Sequence, residues 1–191
     1  MKTFIISDVH GLFDELKQSL DLAGFVRNED RLVFLGDYIN AYAKDFSESM
    51  KILDFLVEVA NESDRHVFLK GNHESMLLGA AAGHNYSKSL QLWNAIRDEH
   101  AALLRNRLTP VFEGDGWIAI HDADKIDINF PYQQDISQSV IISGHQHLRA
   151  PVVRYRRVAM AGDERVYVLN IDRRIIHDDQ GRQYDVAKAW K

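Results

Sequence analysis

The chain has 191 residues, of which 46% are hydrophobic and 27% charged, and its formal net charge is −5. These values are typical of a globular domain with a buried core, and they argue against a disordered chain, a membrane protein or a broad nucleic-acid-binding surface. Because the chain contains no cysteine, disulfides and thiolate metal sites are excluded. The apolar run at residues 4–6 is too short for a signal-peptide core, so we expect a cytoplasmic protein without a membrane partner.

The first half of the chain repeats one pattern: a short apolar strand, a polar loop and then apolar residues at helical spacing. The predicted strands cover residues 3–7, 31–35 and 66–69, and the helix after the second is predicted to begin near Ser47, acting as its N-cap. Alternating strands and helices predict a parallel sheet, in which ligands bind beyond the carboxyl ends of the strands. The three polar loops all fall at that edge.

After Pro110 the pattern changes to short strands. A helix is predicted to begin at Ser87, as N-cap, and to end before Thr109-Pro110, and strands are predicted at residues 117–120, 140–143, 152–155, 166–169 and 174–177. Residues 122–138 are predicted to form a long surface loop. We therefore expect one domain, residues 1–191, of the α/β class: a four-layer α/β/β/α sandwich in which one sheet packs on another with helices outside.

Side chains that can bind metal ions occur on five loops, each directly after a predicted strand. They are Asp8, His10, Asp37, Asn72, His121, His145 and His147. Taken singly, such short motifs are more often turns or ordinary polar residues. Five of them in order, each at the end of a strand, favour a metal site. Carboxylate, amide and imidazole donors suit divalent ions, with Mn²⁺ as the leading candidate and Fe, Zn²⁺ or Ni²⁺ as alternatives.

Asp37 lies between the other loops, and one carboxylate can bridge two ions, so we expect a dinuclear site at the carboxyl ends of the strands. Two ions about 3.5–4 Å apart can generate hydroxide near neutral pH and stabilise an in-line displacement. Phosphate esters are the substrates that most need such a site, because negative charge develops on several oxygens of their transition state.

The motif set resembles that of the calcineurin-like metallophosphoesterases from residue 3 to about residue 148. The matching segments are Asp8-Val9-His10-Gly11, Gly36-Asp37, Gly71-Asn72-His73-Glu74, His121 and Gly144-His145-Gln146-His147. The resemblance implies that one ion is held by Asp8, His10 and His147, a second by Asn72, His121 and His145, and that Asp37 bridges them. It also implies that His73 is the general acid that protonates the leaving oxygen. The residues agree, since His73 follows a ligand directly but is surplus to the ligand count.

The sequence departs from the phosphoprotein phosphatases of that superfamily after Asp37. Asn40 stands where those enzymes carry the acid that pairs with the catalytic histidine, and Ala41 stands where they carry a phosphate-binding arginine. Asn40 can still orient His73 through a hydrogen bond, and Arg149 could supply the missing phosphate contact. The final Gly-His-x-His motif is closer to small bacterial phosphodiesterases.

We therefore predict a metal-dependent phosphoesterase, preferentially a phosphatase, that uses a hydroxide held between the ions. A phosphodiesterase or dinucleoside-polyphosphate hydrolase of the same superfamily is the first alternative. A non-catalytic scaffold is the second, because fold alone does not fix function. Expected substrates are a phosphorylated small molecule, a nucleotide or a phosphoprotein, with no stable nucleic-acid binding.

Several polar residues near these motifs are assigned lesser roles. Tyr38 and Lys44 lie in the Asp37 loop and could reach substrate. The arginines after the last motif, other than Arg149, are predicted to be charges on an edge strand that oppose aggregation. Four histidines are predicted to have no catalytic role: His66, His84, His100 and His177.

Overall fold

The computed structural model of the protein describes residues 1–40, 43, 45–125, 136–146, 148, 150–160 and 165–191. Within these residues the larger sheet has seven strands, in the spatial order β12 (Gln183–Asp185), β11 (Ile175–Asp178), β10 (Tyr167–Asn170), β1 (Thr3–Ile6), β2 (Arg31–Phe34), β3 (Val67–Leu69) and β4 (Leu108–Thr109). The smaller sheet has five, in the order β5 (Val111–Gly114), β6 (Trp117–Ile120), β7 (Val140–Ser143), β9 (Arg157–Ala159) and β8 (Val152–Arg154).

The predicted parallel arrangement is present at the centre of the larger sheet. Strands β1, β2 and β3 pair in parallel, with Phe4 opposite Leu32 and Phe34 opposite Phe68. Strand β10 is antiparallel to β1, and β11 is antiparallel to β10. In the smaller sheet β6 and β7 are also parallel. The polar loops after β1, β2 and β3 therefore lie at one edge of the larger sheet.

The core has two layers, one on each face of the larger sheet. Successive side chains of a strand point to opposite faces, so Phe4 and Ile6 pack against the helices whereas Ile5 packs against the smaller sheet. The helical layer contains α1 (Phe13–Ala23), α2 (Ser47–Glu62), α3 (Asn72–Ala81), α4 (Ser87–Ala95) and α5 (Asp98–Asn106). The predicted α/β class with two packed sheets is confirmed, and the five helices cover the outer face of the larger sheet.

The single helix predicted from Ser87 to just before Thr109 is two helices in the structure, α4 and α5. The chain is extended at Ile96 and Arg97, where ψ is 155° and 165°. The N–H of Arg97 then donates to Nδ1 of His100, and Nε2 of that histidine lies 2.7 Å from Oδ1 of Asp54 in α2. His100 therefore joins α5 to α2 by a polar contact, instead of continuing an apolar face.

The predicted N-caps are also wrong by one residue. Ser47 and Ser87 are the first residues of α2 and α4, and the cap positions are Phe46 and Tyr86, neither of which makes a side-chain cap. Ser47 instead donates from its N–H and its hydroxyl to Asp45. The four strands that were not predicted, β4, β5, β9 and β12, have only two to four residues each.

The long loop predicted at residues 122–138 falls largely outside the described residues, which stop at 125 and resume at 136. Its two described ends form the 3-10 turns Ala123–Lys125 and Ile136–Gln138. Arg154 ends β8, an edge strand of the smaller sheet, as predicted, whereas the edge-strand prediction is wrong for Arg157, which begins β9 between β7 and β8. None of the described helices has the length and apolarity needed to cross a bilayer.

Candidate metal centre

Loops that follow five strands converge and bring most of the predicted donors together. The donors are Asp8 and His10 after β1, Asp37 after β2, Asn72 after β3, His121 after β6 and His145 after β7. The side chains of Asp8, Asp37 and His121 are buried, whereas His10, Asn72 and His145 are partly exposed. His147 lies outside the described residues. The cluster is thus anchored in the core and open to solvent on one side.

The shortest contacts surround the side-chain oxygen of Asn72. Its Oδ1 lies 3.0 Å from Nε2 of His121 and 2.8 Å from Nδ1 of His145. The same Nε2 of His121 is 3.5 Å from Oδ2 of Asp37. On its other side, this Asp37 oxygen is 3.9 Å from Nε2 of His10. Asp37 therefore stands between two groups of donors.

Within the described chain, two sets of three donors are compact enough to surround an ion. His10, Asp37 and His73 form one set, and Asp37, His121 and His145 form the other, with the ligand atoms of each set within 4.8 Å of one another. Asp37 belongs to both sets, as a carboxylate between two ions must. The first set includes His73, which the sequence assigns to proton transfer and not to metal binding.

The protonation of His121 shows why a cation fits this cluster. Burial lowers the pKa of His121 to about 4, so its ring is neutral at physiological pH. Its Nδ1 lies 2.9 Å from the carbonyl oxygen of Leu35, which can only accept, so Nδ1 carries the hydrogen and Nε2 presents a lone pair. That lone pair faces the oxygens of Asn72 and Asp37. Three electron-rich atoms in such close contact are stabilised by a positive ion between them.

Asp8 provides a second indication. Its Oδ2 accepts the backbone N–H of His145 at 2.8 Å, whereas its Oδ1 is buried and has no hydrogen-bond partner among the described residues. Burial, reinforced by the charge of Asp37, raises the pKa of Asp8 well above its ordinary value. Two buried carboxylates with an unsatisfied oxygen are costly unless a cation compensates them. The donors present therefore fit divalent metal ions.

Three of these donors sit on strained backbone. His10, Asp37 and His145 have φ values of +48°, +50° and +65°, a region that residues other than glycine rarely adopt. The carbonyl oxygen of Asp37 accepts the N–H groups of both Val9 and His10, at 3.0 and 2.9 Å, which holds the first two loops together. Such conformations persist where the surrounding structure enforces them, and they cluster at functional sites.

Two glycines permit the close approach of the loops. A Cβ on Gly144 would lie 2.0 Å from Oδ1 of Asp8, and a Cβ on Gly71 would lie 2.2 Å from Oδ1 of Asp37. Any side chain at either position would displace a carboxylate that belongs to the cluster. The glycines before Asn72 and His145 in the sequence motifs are therefore required by the packing of the donors.

Glu74 supports the cluster in a way that the sequence did not reveal. Its carboxylate is completely buried and accepts backbone N–H groups from Asp37, Tyr38 and Gly71 at 2.8, 2.9 and 3.0 Å. Burial and the charge of Asp37 raise the pKa of Glu74 to about 8, while these backbone donors oppose the rise. The only sequence signal was its position as the third residue of α3, where an acid commonly caps backbone amides.

The residues predicted to act on substrate differ in where the structure places them. His73 is buried, its N–H donates to Oδ1 of Asp37 at 2.9 Å, and its ring centre lies 4.7 Å from that of His10. The backbone N–H of Asn40 donates to Oγ of Ser49 at 3.2 Å. The prediction that Tyr38 could reach substrate is wrong, because this side chain is fully buried and its hydroxyl donates to the carbonyl oxygen of Leu69. Arg149, Ala41 and Lys44 lie outside the described residues.

Asp122 is a further acid near the cluster to which no role was assigned. Its Oδ2 lies 3.8 Å from Nε2 of His145, and its side chain is only 12% exposed. Since Nδ1 of His145 faces Asn72, the imidazole stands between the donor cluster and this carboxylate. Metal-binding histidines commonly have a carboxylate on the opposite ring nitrogen, which fixes the tautomer and the ring orientation.

The α/β fold of two packed sheets carries oxygen and imidazole donors on the loops at its strand ends, an arrangement that suits divalent metal ions. Residues 1–149 match the family model of the calcineurin-like phosphoesterases, and the chain belongs to that family. The resemblance predicted from the motifs is thereby confirmed.

Relatives that match part of the chain agree with this assignment. The chain is 35% identical over 96 residues to a symmetrical bis(5'-nucleosyl)-tetraphosphatase of Psychromonas ingrahamii, covering 50% of this chain and 32% of that protein. It is 29% identical over 138 residues to one of Enterobacter sp., covering 72% and 39%. The chain thus spans about a third of the length of these relatives.

The same fold occurs in solved structures at low sequence identity. A candidate diadenosine tetraphosphatase has a TM-score of 0.73 at 15% identity, with 93% of this chain and 92% of that chain covered. A cold-active protein-tyrosine phosphatase of a Shewanella species has a TM-score of 0.65 at 14% identity, with 97% and 80% covered. At these identities the likeness shows the fold alone.

Proposed function

We propose that the protein hydrolyses dinucleoside polyphosphates at a centre of two divalent metal ions. The observation that carries the proposal is the convergence of the neutral Nε2 of His121 with Oδ1 of Asn72 and Oδ2 of Asp37, within 3.5 Å. The bis(5'-nucleosyl)-tetraphosphatase names of the relatives favour this substrate class over the monoester phosphatase preferred from sequence.

In this proposal one ion is held by Asp8, His10 and His147, and the other by Asn72, His121 and His145, with Asp37 shared. The shared role of Asp37 is supported by its place in both donor sets. Bound there, the ions would activate water and offset the negative charge that develops on the phosphoryl oxygens. Mn²⁺ remains our choice of ion.

Four side chains are assigned the steps other than metal binding: proton donation, orientation of the proton donor, phosphate contact and support of the loops. His73 donates a proton from its imidazole to the leaving oxygen; its N–H bond to Asp37 and its contact with the ring of His10, which keep it beside the donor cluster, support this assignment. Asn40 would orient that imidazole through its side-chain amide, and Arg149 would contact phosphate. Glu74 holds the loop of Asp37 and the loop of Asn72 in a fixed relative position by accepting the N–H groups of Asp37 and Gly71.

The test compares four substrates on Mn²⁺-loaded protein: a dinucleoside tetraphosphate, 4-nitrophenyl phosphate, bis(4-nitrophenyl) phosphate and a phosphopeptide. We expect the highest kcat/KM for the dinucleoside tetraphosphate, and chromatography of its products should show nucleoside diphosphates. A higher kcat/KM for the phosphopeptide would support the protein phosphatase instead. If no substrate is hydrolysed with Mn²⁺, Fe, Zn²⁺ or Ni²⁺, the hydrolase proposal is wrong and the non-catalytic scaffold is supported.

A further inference from the structure

A cavity of about 290 Å³ lies directly beside the metal centre. Asn72 and His121 form part of its wall, together with Lys70, Ser75, Pro110 and Asp122. We call it the Lys70 pocket. Because two of its lining residues, Asn72 and His121, are donors of the cluster, the pocket adjoins the candidate metal centre.

Lys70 gives the pocket a positive charge. Its side chain is exposed, and its ammonium makes no ion pair with any residue that the structure describes. Two other lysines have ion pairs in the structure, Lys17 with Asp14 at 3.0 Å and Lys51 with Glu48 at 2.5 Å. The backbone of Lys70 is fixed at the end of β3, since its N–H donates to the carbonyl oxygen of Thr109 at 2.9 Å.

The acid in the pocket, Asp122, forms no ion pair with this lysine. Asp122 lies toward His145, with 3.8 Å between its Oδ2 and Nε2 of that histidine, and its Oδ1 accepts the N–H of Asp124 at 3.0 Å. The pocket therefore combines a lysine that has no ion pair among the described residues, the exposed Ser75 and the apolar surface of Pro110. A compact ammonium of this kind suits a phosphate group.

The position of the pocket relative to His73 indicates which part of a substrate it receives. His73 belongs to the donor set that contains His10, and the pocket is lined by His121 of the other set. Asp37 is shared by the two sets and stands between them. The leaving group departs on the His73 side if His73 protonates it. The pocket then lies on the side of the product that keeps the attacked phosphorus.

We propose that the Lys70 pocket binds a second phosphate group of the substrate, the one that stays attached to the attacked phosphorus, and that Lys70 contacts it. The site then selects phosphoanhydride chains over isolated monoesters. This inference rests on the proposed hydrolase function and adds a specificity-determining residue to it. The cavity is at the lower end of the range for small-molecule pockets, which fits a phosphate with part of a nucleoside.

The first experiment compares Lys70→Ala with wild type on a dinucleoside tetraphosphate and on 4-nitrophenyl phosphate. Loss of a charged hydrogen bond predicts a fall in kcat/KM of about 10–100-fold on the tetraphosphate and a much smaller fall on the monoester. Lys70→Arg should retain most of the preference. Lys188→Ala removes an equal charge from an exposed position in the C-terminal turn, and should change neither value.

A second pair of variants tests the charge of the pocket without touching Lys70. Ser75→Asp places a carboxylate on the wall of the Lys70 pocket and should selectively lower kcat/KM on the tetraphosphate. Ser75→Asn introduces a side chain of the same shape as aspartate but without charge, and it should not lower this value. An equal effect of Lys70→Ala on both substrates, or no effect on either, would overturn the proposal.

Calorimetry separates this proposal from the proposed function. On Mn²⁺-loaded protein, Lys70→Ala should weaken the binding of ADP, which carries two phosphates, about tenfold more than that of AMP, which carries one. If wild type hydrolyses neither substrate, the proposed function fails, and the ADP-to-AMP comparison still decides whether the pocket binds a second phosphate. Equal weakening of both nucleotides would refute it.

Discussion

The carboxylate of Glu74 accepts the backbone N–H of Asp37 at 2.8 Å, which ties the loop after β2 to the first turn of α3. The same oxygen, Oε2, accepts the N–H of Gly71 at 3.0 Å. One buried side chain thus fixes the relative position of Asp37 and Asn72, which are proposed ligands from two different loops.

Glu74→Gln should therefore destabilise the protein even without metal. An amide nitrogen in place of Oε2 cannot accept hydrogen bonds, so the N–H groups of Asp37 and Gly71 would be left buried and unpaired. We expect the free energy of unfolding to fall by about 2–4 kcal/mol, measured by urea denaturation of chelator-treated protein. Glu29→Gln, at an exposed position, is the control. Equal stability of the two variants would show that Glu74 does not hold the loops.

Metal stoichiometry tests the shared role of Asp37. Wild type, stripped with a chelator and reloaded with Mn²⁺, should bind close to two equivalents by elemental analysis. Asp37→Ala should lose both ions, because each donor set contains this carboxylate, whereas Asp8→Ala should retain close to one. A stoichiometry near zero in wild type would contradict the metal centre, and equal losses in the two variants would contradict the bridge.

Asp122, which lies outside the donor cluster, is predicted to orient His145 for metal binding. Asp122→Asn keeps the size of the side chain and an acceptor for the N–H of Asp124, but it removes the charge facing Nε2 of His145. We expect the affinity for one of the two ions to fall about 10–100-fold, measured by chelator competition. The matched control is Asp124→Asn, which changes an exposed acid in the same turn. If both variants bind both ions like wild type, Asp122 does not support His145.

Eight of the twelve described strands, and the clustering of most of the candidate donors, could be predicted from the sequence because both depend on local patterns. The runs at β6 and β7 were predicted with the bounds observed, Trp117–Ile120 and Val140–Ser143, since both are continuous apolar segments followed by a histidine loop. Features set by tertiary contacts were missed. Tyr38 turns into the core to reach Leu69, and Glu74 bonds to Asp37 across 37 positions of sequence. No spacing rule signals either contact.

His66 should make stability depend on pH. Burial lowers its pKa to about 4, with the charges of Arg65 and Arg31 acting in the same direction, while Glu62 opposes them. In the unfolded chain the pKa returns to about 6.5, so the unfolded state binds the proton more readily between these values. The stability contributed by neutral His66 is therefore complete above pH 6.5 or so, and it is lost as pH falls toward 4.

His66→Asn should flatten this dependence. The asparagine oxygen can still accept the N–H of Leu32, which in wild type donates to Nδ1 of His66 at 3.1 Å, but it does not titrate. Between pH 7 and pH 5 the free energy of unfolding should drop by about 2 kcal/mol less in the variant than in wild type. Denaturant titrations at the two pH values measure this difference. Parallel losses in both proteins would show that His66 titrates normally.

The last prediction separates proton transfer by His73 from metal binding, two roles that its contacts with Asp37 and His10 allow. A leaving group of high pKa needs a proton in the transition state, whereas nitrophenolate needs little help. General acid catalysis is worth about 10²–10⁴-fold, so His73→Ala should lose a factor of this size on an alkyl phosphate and far less on 4-nitrophenyl phosphate. Steady-state kinetics with both substrates measures the ratio.

Metal content decides between the two roles of His73. His73→Ala should retain the Mn²⁺ content of wild type, because in the proposed arrangement neither ion depends on this imidazole. His84→Ala, which removes an exposed histidine beyond the end of α3, should change neither the metal content nor the ratio of the two rates. If His73→Ala slows both substrates equally and loses an ion, then His73 completes the donor set with His10 and Asp37, and the proton for the leaving group must come from water.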